Sequence, residues 1–173
     1  MMPYSTDRNR YLSRLAVMTA LALVIWIVEE LVPRPMPWLK SGFSYIVVIV
    51  AMETMGVLSA VAIAYLRVFI GSLVLGRIAS PAFFLSLSGT TAALLVMIAL
   101  FTLCKSWVSL IGISIAGAFS HIAGQVLVAG ALFYRLNAVL WLLPAMTIWT
   151  IAAGALVGAV ATLTLRNIRQ TEN

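Results

Sequence analysis

Charge is what this chain has least of. Only 9% of its 173 residues are charged, where a soluble domain carries roughly a quarter. Hydrophobic residues make up 63%, and the mean hydropathy is +1.09. Eleven Lys/Arg and five Asp/Glu cannot solvate a globule with apolar runs this long, so the chain reads as an integral membrane protein. No alternating pattern of the barrel kind is visible, which leaves helices to satisfy the backbone in lipid.

Other scarcities narrow the chemistry. The single cysteine, Cys104, excludes a disulfide within the chain and any cysteine-clustered metal site. It reads as a small apolar residue near a helix end. The acidic residues are Asp7, Glu29, Glu30, Glu53 and Glu172. They form no aspartate cluster of the kind that holds magnesium on a diphosphate, and no nucleophile–base pair or phosphate loop is present. Catalysis by this chain alone is therefore not expected, nor is a cofactor. His121 has no second histidine to share a metal with. The formal charge of +6 raises nucleic acid as a partner, but the charges sit at the ends of apolar runs, where lipid-facing helices place anchors. Nucleic-acid binding is rejected on that ground.

What is present organises into an all-α polytopic membrane protein with six spans in a single domain. They fall at about residues 11–31, 41–55, 57–75, 81–104, 108–134 and 139–165. The second is short and starts at the interface anchors Trp38 and Lys40. Gly56 turns it into the third, and Ser80-Pro81 marks the start of the fourth, with Ser80 as N-cap. The run from Leu15 to Val32 is too long for a signal-peptide core and lacks a small-x-small cleavage site, so it reads as a retained first helix. Six spans put both termini on one side. Arg8, Arg10 and Arg14 before the first helix argue that this side is the cytoplasm. The stretch EELVPRPMPWLKSG (residues 29–42) then faces outward, as do Arg77 and Arg135. With Pro33, Pro35 and Pro37 alternating around Arg34, Met36, Trp38 and Lys40, it suits a rigid lid over a small-molecule site, or simply an interface loop.

Arg67 in AYLRVFIG is the strongest single signal, since it lies about 15 Å into the third span at 1.5 Å per residue. An arginine in hydrocarbon costs a few kcal/mol and must face the bundle interior or a cavity. One reading is a contact for a phosphate or carboxylate, which the guanidinium fork binds bidentately. The other is a structural ion pair with Glu29 or Glu30. His121 and Gln125, at i and i+4 in GAFSHIAGQ, share one helix face and either line a polar cavity or pack. Ser114, Gly117 and Gly124 lie on or beside that face. Ser86, Ser88, Thr90 and Thr91 can bond a ligand or their own backbone carbonyls. Ala16-x-x-x-Ala20 and Gly154-x-x-x-Gly158 are small-residue patches, one suited to intramolecular packing and the other to a partner protein.

The strings VEELVPRPMPWLKSGFSYI, LRVFIGSLVLGRIASPAFFLSLSG and SLIGISIAGAFSHIAGQ resemble the membrane family known as Gx transporter, or heptaprenyl diphosphate synthase component I. The likeness runs from about Ala16 to Ala131, with PRPxPWxKxG and SPxFxxSxxG its most specific parts. That family is similar to the S components of energy-coupling factor transporters. The resemblance implies a six-helix subunit of a bacterial cytoplasmic membrane that captures a small molecule at the outer face. Its partners would be a transmembrane scaffold protein and two ATPases, with Ala16 and Ala20 facing the scaffold and residues 33–40 forming the lid. Flavins, isoprenoids and quinone-related compounds are the implied cargo. Substrate-binding candidates are Arg67, His121, Gln125, Trp38, Lys40, Tyr45, Glu30 and Ser86. The family pattern leads one to expect asparagines where Tyr45 and Ile122 stand, and their loss favours a less polar ligand there. The family label also offers a second reading, an accessory membrane subunit of polyprenyl diphosphate synthesis.

Overall fold

In a computed structural model, residues 4–31, 42–104, 106–133 and 143–171 are described, and these contain six helices and no strand. They are α1 (Tyr4–Leu31), α2 (Ser44–Thr54), α3 (Val57–Val74), α4 (Pro81–Leu103), α5 (Leu110–Phe133) and α6 (Leu143–Thr171). The lid segment with Pro33, Arg34, Met36, Trp38 and Lys40 lies outside the described residues, as do Lys105 and Arg135.

Local signals set the boundaries. Ser80 caps α4, its Oγ accepting the Phe83 N–H at 3.3 Å, and Pro81 follows where a helix needs no donor. α3 closes on Gly76 in the left-handed region (φ +64°). There the Arg77 N–H reaches the Ser72 carbonyl and the Gly76 N–H that of Leu73, which is the Schellman arrangement. That closure aims Arg77 at α1, where its Nη1 meets Glu30 Oε1 at 2.5 Å. Between α2 and α3 the chain reverses at Gly56 (φ +90°), a conformation that side chains with a Cβ rarely adopt.

Five helices are long and apolar enough to cross a membrane. α2 is not among them, because its 11 residues span only about 16 Å against a hydrocarbon core of roughly 30 Å. It is instead the centre of the bundle. Val47, Val48, Ile49, Val50, Ala51 and Met52 are buried in succession, so no face of this stretch meets the outside, and α1, α3 and α6 pack against it. The outer helices show the inverse pattern. Val17, Leu21, Val24, Val28 and Leu31 form one exposed apolar stripe on α1, and Leu58, Leu103, Trp107 and Ile148 are almost bare. In water such a surface would drive aggregation, whereas in a bilayer it meets acyl chains. The protein is a multi-pass membrane protein.

Small residues set the tightest approaches. At Gly154 and Gly158 of α6, an added Cβ would lie 2.8 Å from Ile115 Cα and 2.6 Å from Ile111 Cα of α5. This glycine patch serves packing within the chain, whereas Ala16 and Ala20 lie exposed on α1. Hydroxyls on these helices mostly turn inward to their own backbone. Thr19, Thr54, Thr91, Thr102, Thr150, Thr162 and Thr164 each donate to the carbonyl four residues back, which satisfies them without water.

The contact at Gly158 is with backbone, so neither helix can yield locally. Gly158→Ala should force α5 and α6 apart and cost about 1–3 kcal/mol. At Gly112 an added Cβ meets only a Val108 methyl and the Ser109 hydroxyl, so Gly112→Ala serves as the control. Thermal unfolding of the two variants in detergent should separate them clearly, and equal melting temperatures would refute the role given to Gly158.

Candidate functional site

The helices enclose a cavity between the end of α1, the start of α2 and the middles of α3 to α6. Its volume is about 50 Å³, on a scale where a single water needs roughly 10–15 Å³. The polar wall consists of Glu29, Ser44, Tyr45, Arg67, Ser86, Thr90, Ser114, His121 and Thr150. The apolar wall is Trp26, Met97, Ala118, Ile122, Ala153 and Val157. A few convergent polar groups on a largely apolar surface are the usual make-up of a small-molecule site.

Arg67 anchors this wall. It is only 1% exposed and sits well inside α3. Its Nη1 donates to the hydroxyl of Ser44 in the first turn of α2, and its Cζ lies 4.1 Å from the centroid of the Tyr45 ring. That is a cation–π contact, stronger for being desolvated. Arg67 makes no ion pair with a described carboxylate, and its Nε–H has no hydrogen-bond partner among the described residues. The two carboxylates that the sequence offered it are engaged elsewhere. Glu30 pairs with Arg77. Glu29 Oε1 accepts the Phe43 N–H at 2.9 Å, at the N-terminus of α2, where orphan N–H groups and the helix dipole favour an anion.

Tyr45 joins the two halves of the site. Beside Arg67 on one side, its ring meets His121 edge-on on the other, centroids 5.6 Å apart at 82°. Its hydroxyl lies 3.0 Å from His121 Nδ1 and donates to Thr90 Oγ1 at 3.4 Å. His121 and Gln125 both lie over Gly89 of α4, where an added Cβ would come within 2.8 Å of Nε2 and 2.9 Å of Gln125 Cγ. The glycine of SPxFxxSxxG thus makes room for the polar face of α5. Gln125 is buried, and its Oε1 finds no partner among the described residues.

Of the residues singled out from sequence, Arg67, His121, Tyr45 and Ser86 line the cavity. Gln125 stands beside it over Gly89, Glu30 lies outside the lining, and Trp38 and Lys40 fall outside the described residues. Of the α4 hydroxyls, Ser88 and Thr91 bond carbonyls of their own helix, at Leu85 and Leu87, while Ser86 and Thr90 face the cavity. Ser44, Trp26, Met97 and Thr150 were not foreseen. Nothing in their local sequence marks them, and only the arrangement of six helices brings them together. Tyr45 and Ile122, where the resemblance led one to expect asparagines, both line the cavity.

No curated protein and no solved structure matches the chain. The family described as heptaprenyl diphosphate synthase component I matches over residues 18–164, a span that holds α2 to α5 and every residue lining the cavity. The chain belongs to that family.

Proposed function

We propose that the protein is a membrane-embedded binding subunit for transport, which captures a small anionic or amphiphilic molecule in the cavity around Arg67. The observation that carries the reading is a buried guanidinium on the cavity wall that makes no ion pair with a described carboxylate. An intramembrane charge is expensive and persists where it serves a ligand or pathway. The apolar wall opposite suits the body of an amphiphile, and Tyr45 and Ile122 favour a less polar one than two amides would. The resemblance offers flavins, isoprenoids and quinone-related compounds as candidates.

In this reading the chain lies in a bacterial cytoplasmic membrane, and the cavity is loaded from the outer face. The lid is residues 33–40, with Trp38 and Lys40 closing over the ligand. Ala16 and Ala20, on the exposed side of α1, form the docking patch for a transmembrane scaffold protein driven by ATPases. The chain itself performs no catalysis. The family's description favours a second reading, a non-catalytic membrane component of heptaprenyl diphosphate synthesis that works beside a soluble synthase component. Affinity capture of the tagged protein from native membranes separates the two. The first reading expects a scaffold protein and ATPases, and the second a soluble, aspartate-rich prenyl transferase.

The binding role is tested by native mass spectrometry of gently extracted protein. The wild type should carry a stoichiometric small molecule, and Arg67→Ala should lose it while remaining folded and monodisperse. Retention of the ligand at full occupancy by Arg67→Ala would remove Arg67 from the site.

Tyr45→Phe keeps the ring beside Arg67 and removes the hydroxyl that meets His121 and Thr90. Titration of the identified ligand should show affinity weakened by about three- to tenfold, the worth of roughly one hydrogen bond. An unchanged affinity would make the Tyr45–His121 link a packing feature only.

A further inference from the structure

We infer that the anionic group bound in this cavity is a single carboxylate, held by the free edge of Arg67, an inference that rests on the small-molecule reading above. Nη1 of Arg67 is committed to Ser44 and the guanidinium face to Tyr45. Nε–H is buried without a partner among the described residues. The edge formed by Nε–H and the second Nη is therefore the one left for a ligand. Its two parallel N–H groups match the two coplanar oxygens of a carboxylate.

On the described wall, formal charge favours a ligand with one negative charge over one with more. Among the described residues lining the cavity, Arg67 is the sole Lys or Arg and Glu29 the sole carboxylate. Glu29 accepts the Phe43 N–H at the start of α2 and keeps its own negative charge, so among the described lining residues each further negative charge has Arg67 alone to meet it. A diphosphate brings at least two charges into a low-dielectric wall with one guanidinium to meet them, and an unpaired buried charge costs several kcal/mol. His121, which is bonded to Tyr45, and Ser86 and Thr90 also line the cavity, where they place polar atoms around the anion. The apolar residues Met97, Ile122 and Val157 take the body of the molecule. The geometry therefore selects an apolar monocarboxylate over the prenyl diphosphates that the family's description brings to mind.

The test uses the full chain in lipid nanodiscs and a panel of water-soluble aliphatic and aromatic monocarboxylates. Each is paired with its primary amide and set against isopentenyl and geranyl diphosphate. Thermal stabilisation, followed by calorimetry on the hits, should show at least one carboxylate binding and its amide weaker by tenfold or more. Arg67→Lys keeps the charge but lacks the planar fork, so it should weaken that carboxylate by about tenfold as well. A diphosphate binding more tightly than every carboxylate would overturn the monocarboxylate assignment and leave the binding reading standing. So would a stoichiometric co-purified ligand without a carboxylate. Equal affinity of Arg67→Lys and wild type would overturn the role of the free edge. A protein that is empty in native mass spectrometry and indifferent to the whole panel would overturn both inferences.

Discussion

The buried charge of Arg67, set against the ring of Tyr45, is the constraint around which the cavity wall is arranged. Around it four helices meet: α3 supplies Arg67, α2 supplies Ser44 and Tyr45, α4 supplies Thr90, and α5 supplies His121. Hydrocarbon offers no solvation to a guanidinium, so every element near it must contribute a dipole, a π-face or an open space. The stub helix α2 follows from this demand. It is too short to cross a bilayer, and its first turn lies at the depth of Arg67, where Ser44 and Tyr45 meet the charge. Its own N-terminus is in turn stabilised by Glu29. Two of the few charges in the chain are thereby used to build one wall.

The remaining architecture serves that wall without touching it. Glycine contacts bring α5 and α6 together, and Gly89 lets the polar face of α5 lie against α4. The Schellman closure of α3 sends Arg77 to Glu30, an exposed pair worth little in stability. Its consequence is positional: it occupies the carboxylate nearest in sequence to Glu29 and leaves Arg67 without an ion pair among the described residues. The outer surface is apolar along α1 and on parts of the other helices, as a chain whose solvent is lipid requires.

Much of this was legible in the sequence. Apolar run lengths pointed to the six described helices, because lipid requires a membrane chain to be apolar over long stretches. Ser80-Pro81 and Gly56 marked boundaries through backbone chemistry that does not depend on tertiary context. Arg67 and His121 stood out because polar residues in apolar runs are costly wherever they fall. Ser44, Trp26 and Thr150 did not stand out, since a serine at a helix start or a threonine within a helix has an ordinary local use. Which glutamate would face the site was also not readable. Glu29 and Glu30 are adjacent, and a helix turn of about 100° per residue decides that one lines the cavity while the other meets Arg77. The fate of the Gly154/Gly158 and Ala16/Ala20 patches was equally undecidable from spacing, because i,i+4 small residues are common to both uses.

The central claim is that Arg67 is retained for a ligand and not for the fold. The most direct measurement is the unfolding stability of ligand-free Arg67→Met against ligand-free wild type in the same nanodiscs. Methionine keeps an apolar stem of similar volume and removes a buried charge that makes no ion pair with a described carboxylate, so the variant should be at least as stable as the wild type. A loss of about 2 kcal/mol or more would show that the guanidinium holds the bundle together, and would contradict the account.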